Sequence, residues 1–438
     1  MFGLISPQQV RTLPLIQNLG KVTHVYGAIV ESSGPDVFVG ELVEIQSLGR
    51  NESIRAEVIG IRNDRVIMML FDHAKGIRFG SEVRGTGRTI DTPVGNALIG
   101  RILNGVGDAI DGRELYCHTR AEYASSPINP IDRSTTKELL STGVKVIDGI
   151  VPLGVGQRVG LFAGSGVGKS TLLSMMARGM ASDINVIALI GERGREVTEF
   201  IEEHMSDEVL SKSILVVATS DSSALMRKHA AQTATIIAEH FREQGKKVSL
   251  FFDSLTRYAM ALREIGLSLS EPPTARGYTP SVFSTLPGIL ERGGCLKNGG
   301  AISAVYSVLV EGDDVNDPIA DYVRSILDGH IVLDRKMAEA GTYPPVSVLK
   351  SESRLKSRVC SDSHKACIAA FRGQMAELED NKDMLSLGAY KHGTNEVLDH
   401  ALRNRTGLLD FIRQQESDSV PFDEVMKRLH ASVENRHV

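Results

Sequence analysis

Cysteine is scarce in this chain. Cys117, Cys295, Cys360 and Cys367 are scattered through 438 residues and match no zinc or redox spacing. Reduced thiols in a reducing compartment are the reading that follows. No apolar run approaches the roughly 20 residues needed to cross a bilayer. Met1 to Gly20 lacks a basic segment leading into an apolar one, so no secretory signal is expected. Basic residues are in deficit as well: 49 Lys and Arg against 54 Asp and Glu leave a net charge of −5. That balance gives no bulk footprint for nucleic acid, although net charge hides a local basic channel. Internal repeats and low-complexity tracts are also missing. What remains is a cytosolic globular chain, long enough for two or three domains of roughly 150 residues each and free to dock on a membrane complex.

One stretch organises the rest. Val159 to Phe162 is a short β-type run, Ala163-Gly164-Ser165-Gly166-Val167-Gly168-Lys169-Ser170-Thr171 follows, and Leu172, Leu173, Met175 and Met176 come next at helical spacing. Strand, glycine-rich loop and helix form the context of a phosphate-binding loop. Backbone N–H groups from Gly164 to Thr171 would surround phosphate oxygens, aided by the helix N-terminus. Lys169 would reach the β- and γ-phosphates, and the Ser170 hydroxyl would ligate Mg²⁺. Ala163 stands where the first glycine is expected. It is harmless at negative φ and costs about 1 kcal/mol if left-handed.

Around this loop the texture changes three times. Apolar residues from Phe2 to Leu19 are broken by Pro7 and Pro14, which argues against a long helix and leaves a docking segment or a loose leader. From Lys21 to about Arg88, short β-type runs suggest a small barrel or sandwich: Val22–Val30, Val37–Val39, Leu42–Ile45, Ile54–Ile59 and Arg65–Leu70. A glycine-rich connector spans Thr92 to Tyr116, and Ser125 to Pro130 reads as an extended linker. Apolar strands then alternate with helices, implying a mostly parallel sheet covered on both faces. From about Ser363 the pattern is helical.

Other residues could complete a phosphoryl-transfer site. Val248 to Phe252 is an apolar strand ending in Asp253, where a carboxylate can hold Mg²⁺. Glu192 follows the strand Val186–Ile190, at the end of the sheet where active sites collect; it could orient the attacking water or be a solvated loop carboxylate. Glu196 could touch a metal-bound water or sit on a solvated helix face. Arg354, late in the chain, could act in trans on the transferring phosphate or be an ordinary surface arginine. Tyr343, before Pro344-Pro345, could stack on a base.

Together these residues resemble the ATPases of type III secretion, related to the catalytic chains of rotary ATPases, from about Lys21 to the end. The resemblance rests on Gly164–Ser170, Ile190–Glu196, Asp253–Tyr258, Glu271-Pro272-Pro273, Gly277–Phe283 and Leu327–Leu333. It implies an α/β chain with a RecA-like phosphate-loop core, an N-terminal small β-barrel and a C-terminal helical domain. The leader would cover 1–20, the barrel 21–90, the core with its connector 91–362 and the helical domain 363–438. It implies ATP hydrolysis with Mg²⁺, in which Glu192 is the catalytic carboxylate, Arg354 the arginine finger and Tyr343 the adenine contact. It further implies a homo-hexameric ring at the cytoplasmic face of an export gate, peripheral to the inner membrane. Partners would be gate and regulatory or stalk proteins, export substrates and their chaperones, with no nucleic acid. Leu387–Gly393 and Tyr258-Ala259-Met260-Ala261 look flagellar; a virulence injectisome ATPase or a structural nucleotide-binding subunit of a rotary-type ATPase are the alternatives. Gly266 to Gly277 is the candidate pore-facing stretch.

Overall fold

The computed structural model describes residues 19–47, 53–123, 128–310 and 317–434. The leader from Phe2 to Gln17, and Ser125, Ser126 and Pro127 of the linker, lie outside them.

Six strands close into a barrel in the order β1-β2-β5-β4-β3-β6. They are β1 (Leu19–Tyr26), β2 (Ile29–Ser33), β3 (Leu42–Gln46), β4 (Ser53–Arg62), β5 (Arg65–Leu70) and β6 (Glu82–Gly85). Alternation sends Val22, Val30, Val43, Ile45, Val58, Met68 and Val83 inward, where they form one apolar cluster. The sequence pattern suggests a single strand over Val22–Val30. The chain instead turns at Gly27, φ +60°, and Tyr26 pairs with Ile29 across a two-residue hairpin. Val37–Val39 is not a strand either: Glu41 accepts from Phe38 N and donates its own N–H to Phe38 O, closing a turn. β6, too short to show a period, completes the barrel in its place.

The core is a ten-stranded sheet whose main path runs β14-β13-β8-β12-β11-β9-β10-β7. The strands are β7 (Ile102–Asn104), β8 (Arg158–Ala163), β9 (Ile184–Ile190), β10 (Ser213–Ala218), β11 (Lys247–Asp253), β12 (Ala301–Leu309), β13 (Gly329–Val332) and β14 (Glu352–Ser353). From β13 to β7 every pairing is parallel; β14 runs antiparallel at the edge. All seven residues of β9 are buried, as a strand covered on both faces requires. The covering helices include α1 (Lys169–Gly179), α2 (Ala224–Glu243), α3 (Leu255–Ser268) and α4 (Pro318–Ile326). Part of the glycine-rich connector is structural: Ile102–Asn104 pairs with β10 as the far edge strand.

Two junctions join the core to its neighbours. At the barrel, the buried Glu57 of β4 takes Lys228 Nζ at 2.6 Å and a close contact from His229 Nε2, both on α2. Burial pushes the Glu57 carboxyl up, but those two donors outweigh it and hold its pKa at about 2. At the other junction, α5 (Asp362–Asp380), α6 (Glu396–Ile412) and α7 (Phe422–Glu434) form the helical domain. Phe371 and Phe411 meet at 5.5 Å between ring centroids. A Cβ on Gly149 would fall 2.6 Å from Phe411 Cζ, so that glycine lets the helical domain seat closely on the core. No described helix is long and apolar enough to cross a membrane.

Candidate active site

The phosphate loop starts where β8 ends. Ala163 still pairs with Leu309 and is not among the left-handed residues, so its side chain is unstrained. Gly166 and Gly168 are the left-handed positions, at φ +73° and +93°, where a glycine avoids the Cβ penalty. Val167 is buried and pins the loop to the core between them. α1 begins at Lys169, so the N–H groups of Lys169, Ser170 and Thr171 open the helix without an intrahelical acceptor. Such a helix start is an anion site. Ser165 O accepts from Arg335 Nη2 at 3.2 Å, and Gly164 borders a cleft of about 520 Å³ toward the helical domain.

Three candidates meet at the C-terminal end of the sheet. Lys169 Nζ lies 2.5 Å from Asp253 Oδ1 and 3.0 Å from Glu192 Oε1. Their side chains are only 12%, 4% and 13% exposed respectively, so the pairings are shielded from solvent. Burial opposes the ammonium charge, but Asp253 and Glu192 together outweigh it and raise the Lys169 pKa. Asp253 also accepts from Ser307 Oγ at 2.6 Å. Ser307 was not legible as a site residue; β12 carries two buried serines, Ser303 and Ser307, and nothing in the sequence separates them.

Glu192 is carried by a tight turn. Gly191 has φ +73°, and a Cβ there would sit 2.6 Å from Arg257 Cβ, so only glycine lets β9 pass so close to α3. Arg257 therefore packs on Gly191, the neighbour of Glu192, with its buried Nε making no hydrogen bond among the described residues. Sequence reasoning did not single out this cation.

The other candidates lie apart. Tyr343 borders the loop: a Cβ on Gly168 would be 3.6 Å from its Cε1. The residue is 46% exposed, accessible to a ligand. Glu196 sits on an exposed helical turn, where it pairs with Arg193 at 3.7 Å rather than with Lys169. Arg354 is exposed and far away. Ser353 pairs with Gly329 at the start of β13, the end of the sheet opposite the phosphate loop. Five strand spacings also separate β14 from β9, roughly 24 Å at 4.8 Å each. Arg354 Nη2 donates to Arg324 O, a late carbonyl of α4, at 3.2 Å.

Comparison with known proteins gives a consistent result. Residues 22–87 match the beta-barrel domain of the ATP synthase alpha/beta family, and 143–353 match its nucleotide-binding domain. Residues 360–431 match the T3SS EscN ATPase C-terminal domain. The flagellum-specific ATP synthase of Bacillus subtilis (strain 168) is 46% identical over 412 residues, 94% of each chain. The type 3 secretion system ATPase of Xanthomonas euvesicatoria is 41% identical over 423 residues, 96% of each. Among solved structures, the assembled ATPase EscN of the enteropathogenic E. coli type III secretion system superposes with a TM-score of 0.90. It is 41% identical and matches 94% of this chain and all of that one. EscN in complex with its central stalk EscO gives 0.88 at 40% identity, with the same coverage.

Proposed function

This chain belongs to the family of flagellum-specific and type III secretion ATPases, and on that premise we propose that it hydrolyses ATP to energise flagellar protein export. The observation that carries the reading is the pairing of Lys169 with both Asp253 and Glu192 at the mouth of the phosphate loop. Gly164 to Thr171 cradles the phosphates, Lys169 neutralises the β- and γ-groups, and Tyr343 stacks on the base. Glu192 orients the attacking water and draws its proton as the γ-phosphate departs. Arg257 adds positive charge beside it.

Mg²⁺ belongs with the nucleotide. The Ser170 hydroxyl and the buried Asp253 carboxylate are hard oxygen donors of the kind this ion takes. Among the described residues no cluster of three His, Cys, Asp or Glu offers a rival site. When bound, the ion spreads the charge developing on the phosphates. Glu196, on its exposed turn, would reach it only through water.

Arg354 completes the site of a neighbouring copy. It is too distant to serve its own chain, and a finger supplied across an interface makes a homo-hexameric ring the natural assembly. The relative solved as an assembled ATPase supports this. The ring would sit in the cytoplasm, peripheral to the inner membrane at the export gate, and engage a stalk or regulatory protein, substrates and chaperones. The 46% identity to a flagellar relative favours flagellar over virulence export.

Glu192→Gln tests the site. Turnover should vanish while nucleotide binding, followed with a fluorescent ATP analogue, stays near wild type. Undiminished phosphate release would remove Glu192 from its role.

A further inference from the structure

The segment that joins α6 to α7 crosses the back of the active site, and two of its side chains are bound there. Gln414 is buried, and its amide is fully used. Nε2 donates to Gly143 O at 2.8 Å and Asp418 O at 3.0 Å, and Oε1 accepts from Lys145 N at 2.8 Å. Its backbone N–H holds Tyr343 O at 2.9 Å. Two residues on, Glu416 reaches the core itself. Arg178 Nη1 of α1 donates to Glu416 O at 2.5 Å. The Glu416 carboxylate accepts from His204 Nδ1 at 2.6 Å, with Ser174 Oγ of α1 3.4 Å from the same oxygen.

His204 matters because of what lies behind it. From Gly194 the chain runs as helix to Glu199 and continues as one wide helical turn, Phe200–His204. Eleven helical residues make a rod of roughly 16 Å. Wide turns of this kind recur at functional sites. One end of the rod begins two residues after Glu192, which Lys169 holds, across the extended Arg193; the other is held by Glu416. Val197 and Phe200 are buried between the two ends, so the rod has a seat to pivot on. His204 is 17% exposed and Glu416 40%, so the bond is shielded on the His204 side and open to solvent on the other.

We propose that Glu416 and His204 are positioning residues through which the seat of the helical domain sets the place of Glu192. This deepens the ATPase reading and rests on Glu192 being the catalytic carboxylate. A displacement of the crossover segment drags His204, the rod turns on Val197 and Phe200, and Glu192 moves toward or away from the attacking water. Cutting the Glu416–His204 bond alone leaves Gln414 on Tyr343 and the phosphate loop in place, so in those variants the rate changes and affinity does not.

The test uses the full chain, with Glu416→Gln, His204→Gln, their double variant and the swapped pair Glu416→His/His204→Glu. Each single variant should lower kcat by about fivefold to tenfold, the size of one ordinary hydrogen bond, because the Glu416 side is open to solvent. The double variant should fall no further than the worse single, and the swap should recover most of the loss. KM for ATP should stay within about twofold throughout, the mark of an effect confined to the transition state. Glu203→Gln, an exposed neighbour on the same turn, should match wild type. Additive losses in the double variant, a swap without recovery, or unchanged singles would overturn the inference. Glu192→Gln is measured alongside. If it retains turnover, the reading of the site itself fails; if it is dead while Glu416→Gln turns over normally, only the positioning role fails.

Discussion

The ring of Tyr343 rests against Gly168, with Cε1 only 3.6 Å from where a Cβ on that glycine would project. A base stacked on this ring would therefore lie beside the phosphate loop. Tyr343→Ala should weaken ATP binding by about tenfold, the lower part of the range of roughly 1–3 kcal/mol for a base stacked on an aromatic ring. Tyr343→Phe should bind as wild type. Titration with a fluorescent nucleotide decides this; an alanine variant of unchanged affinity would remove the platform.

Lys169→Ala leaves two shielded carboxylates facing each other. Breaking a buried ion pair from one side costs about 3–5 kcal/mol, and Ser307 still serves Asp253, so a loss of about 3 kcal/mol is expected. Adding Asp253→Asn should restore part of the stability but none of the hydrolysis. Urea unfolding and phosphate release, measured on both variants, separate the two effects.

Glu57 predicts an acid transition at the barrel junction. Its folded pKa of about 2 lies below the ordinary 4.5, so the folded protein binds fewer protons there than the unfolded chain. The stabilisation is complete above pH 4.5 and is lost as pH falls from there toward 2. It amounts to something on the order of 3 kcal/mol. Glu57→Gln should be less stable than wild type at neutral pH, and the gap should close below about pH 3. Parallel denaturant curves at pH 6, 4 and 3 would show it; a constant gap would contradict it.

Arg354 and Glu192 should complement each other between copies. Arg354→Ala and Glu192→Gln are each expected to be inactive alone. Mixed together they should regain activity, because an Arg354→Ala chain still offers Glu192 and a Glu192→Gln chain still offers Arg354. Mixed rings that form, by mass, but stay inactive would place both residues in one self-contained site.

How much of this was legible depends on how local each feature is. Lys169 could be read from the glycine-rich loop between strand and helix, and Asp253 and Glu192 because each closes or follows an apolar strand, and strand ends in a parallel sheet converge. Ser307 was hidden because its role exists only once β12 lies beside β11. Gly27 was missed as a turn because Gly27-Ala28 lacks an asparagine or aspartate before the glycine. Ile102–Asn104 looked like connector because three residues show no period, and only its pairing with Leu215–Val217 makes it a strand. Arg257 and Arg354 could not be told from other arginines by their neighbours in sequence; their places in the fold separate them.

The placement of Arg354 at one end of the sheet and Glu192 at the other gives the subunit a direction. A contact between unlike faces is head-to-tail, and such contacts continue until the rotation closes on itself. An open arc then always holds one fewer complete site than it has chains, whereas closure adds a site without adding a chain. With Arg354 acting across that contact, a lone chain would hold no complete site and a pair would hold one, so output per chain would climb as the arc lengthens and step up when the last gap shuts.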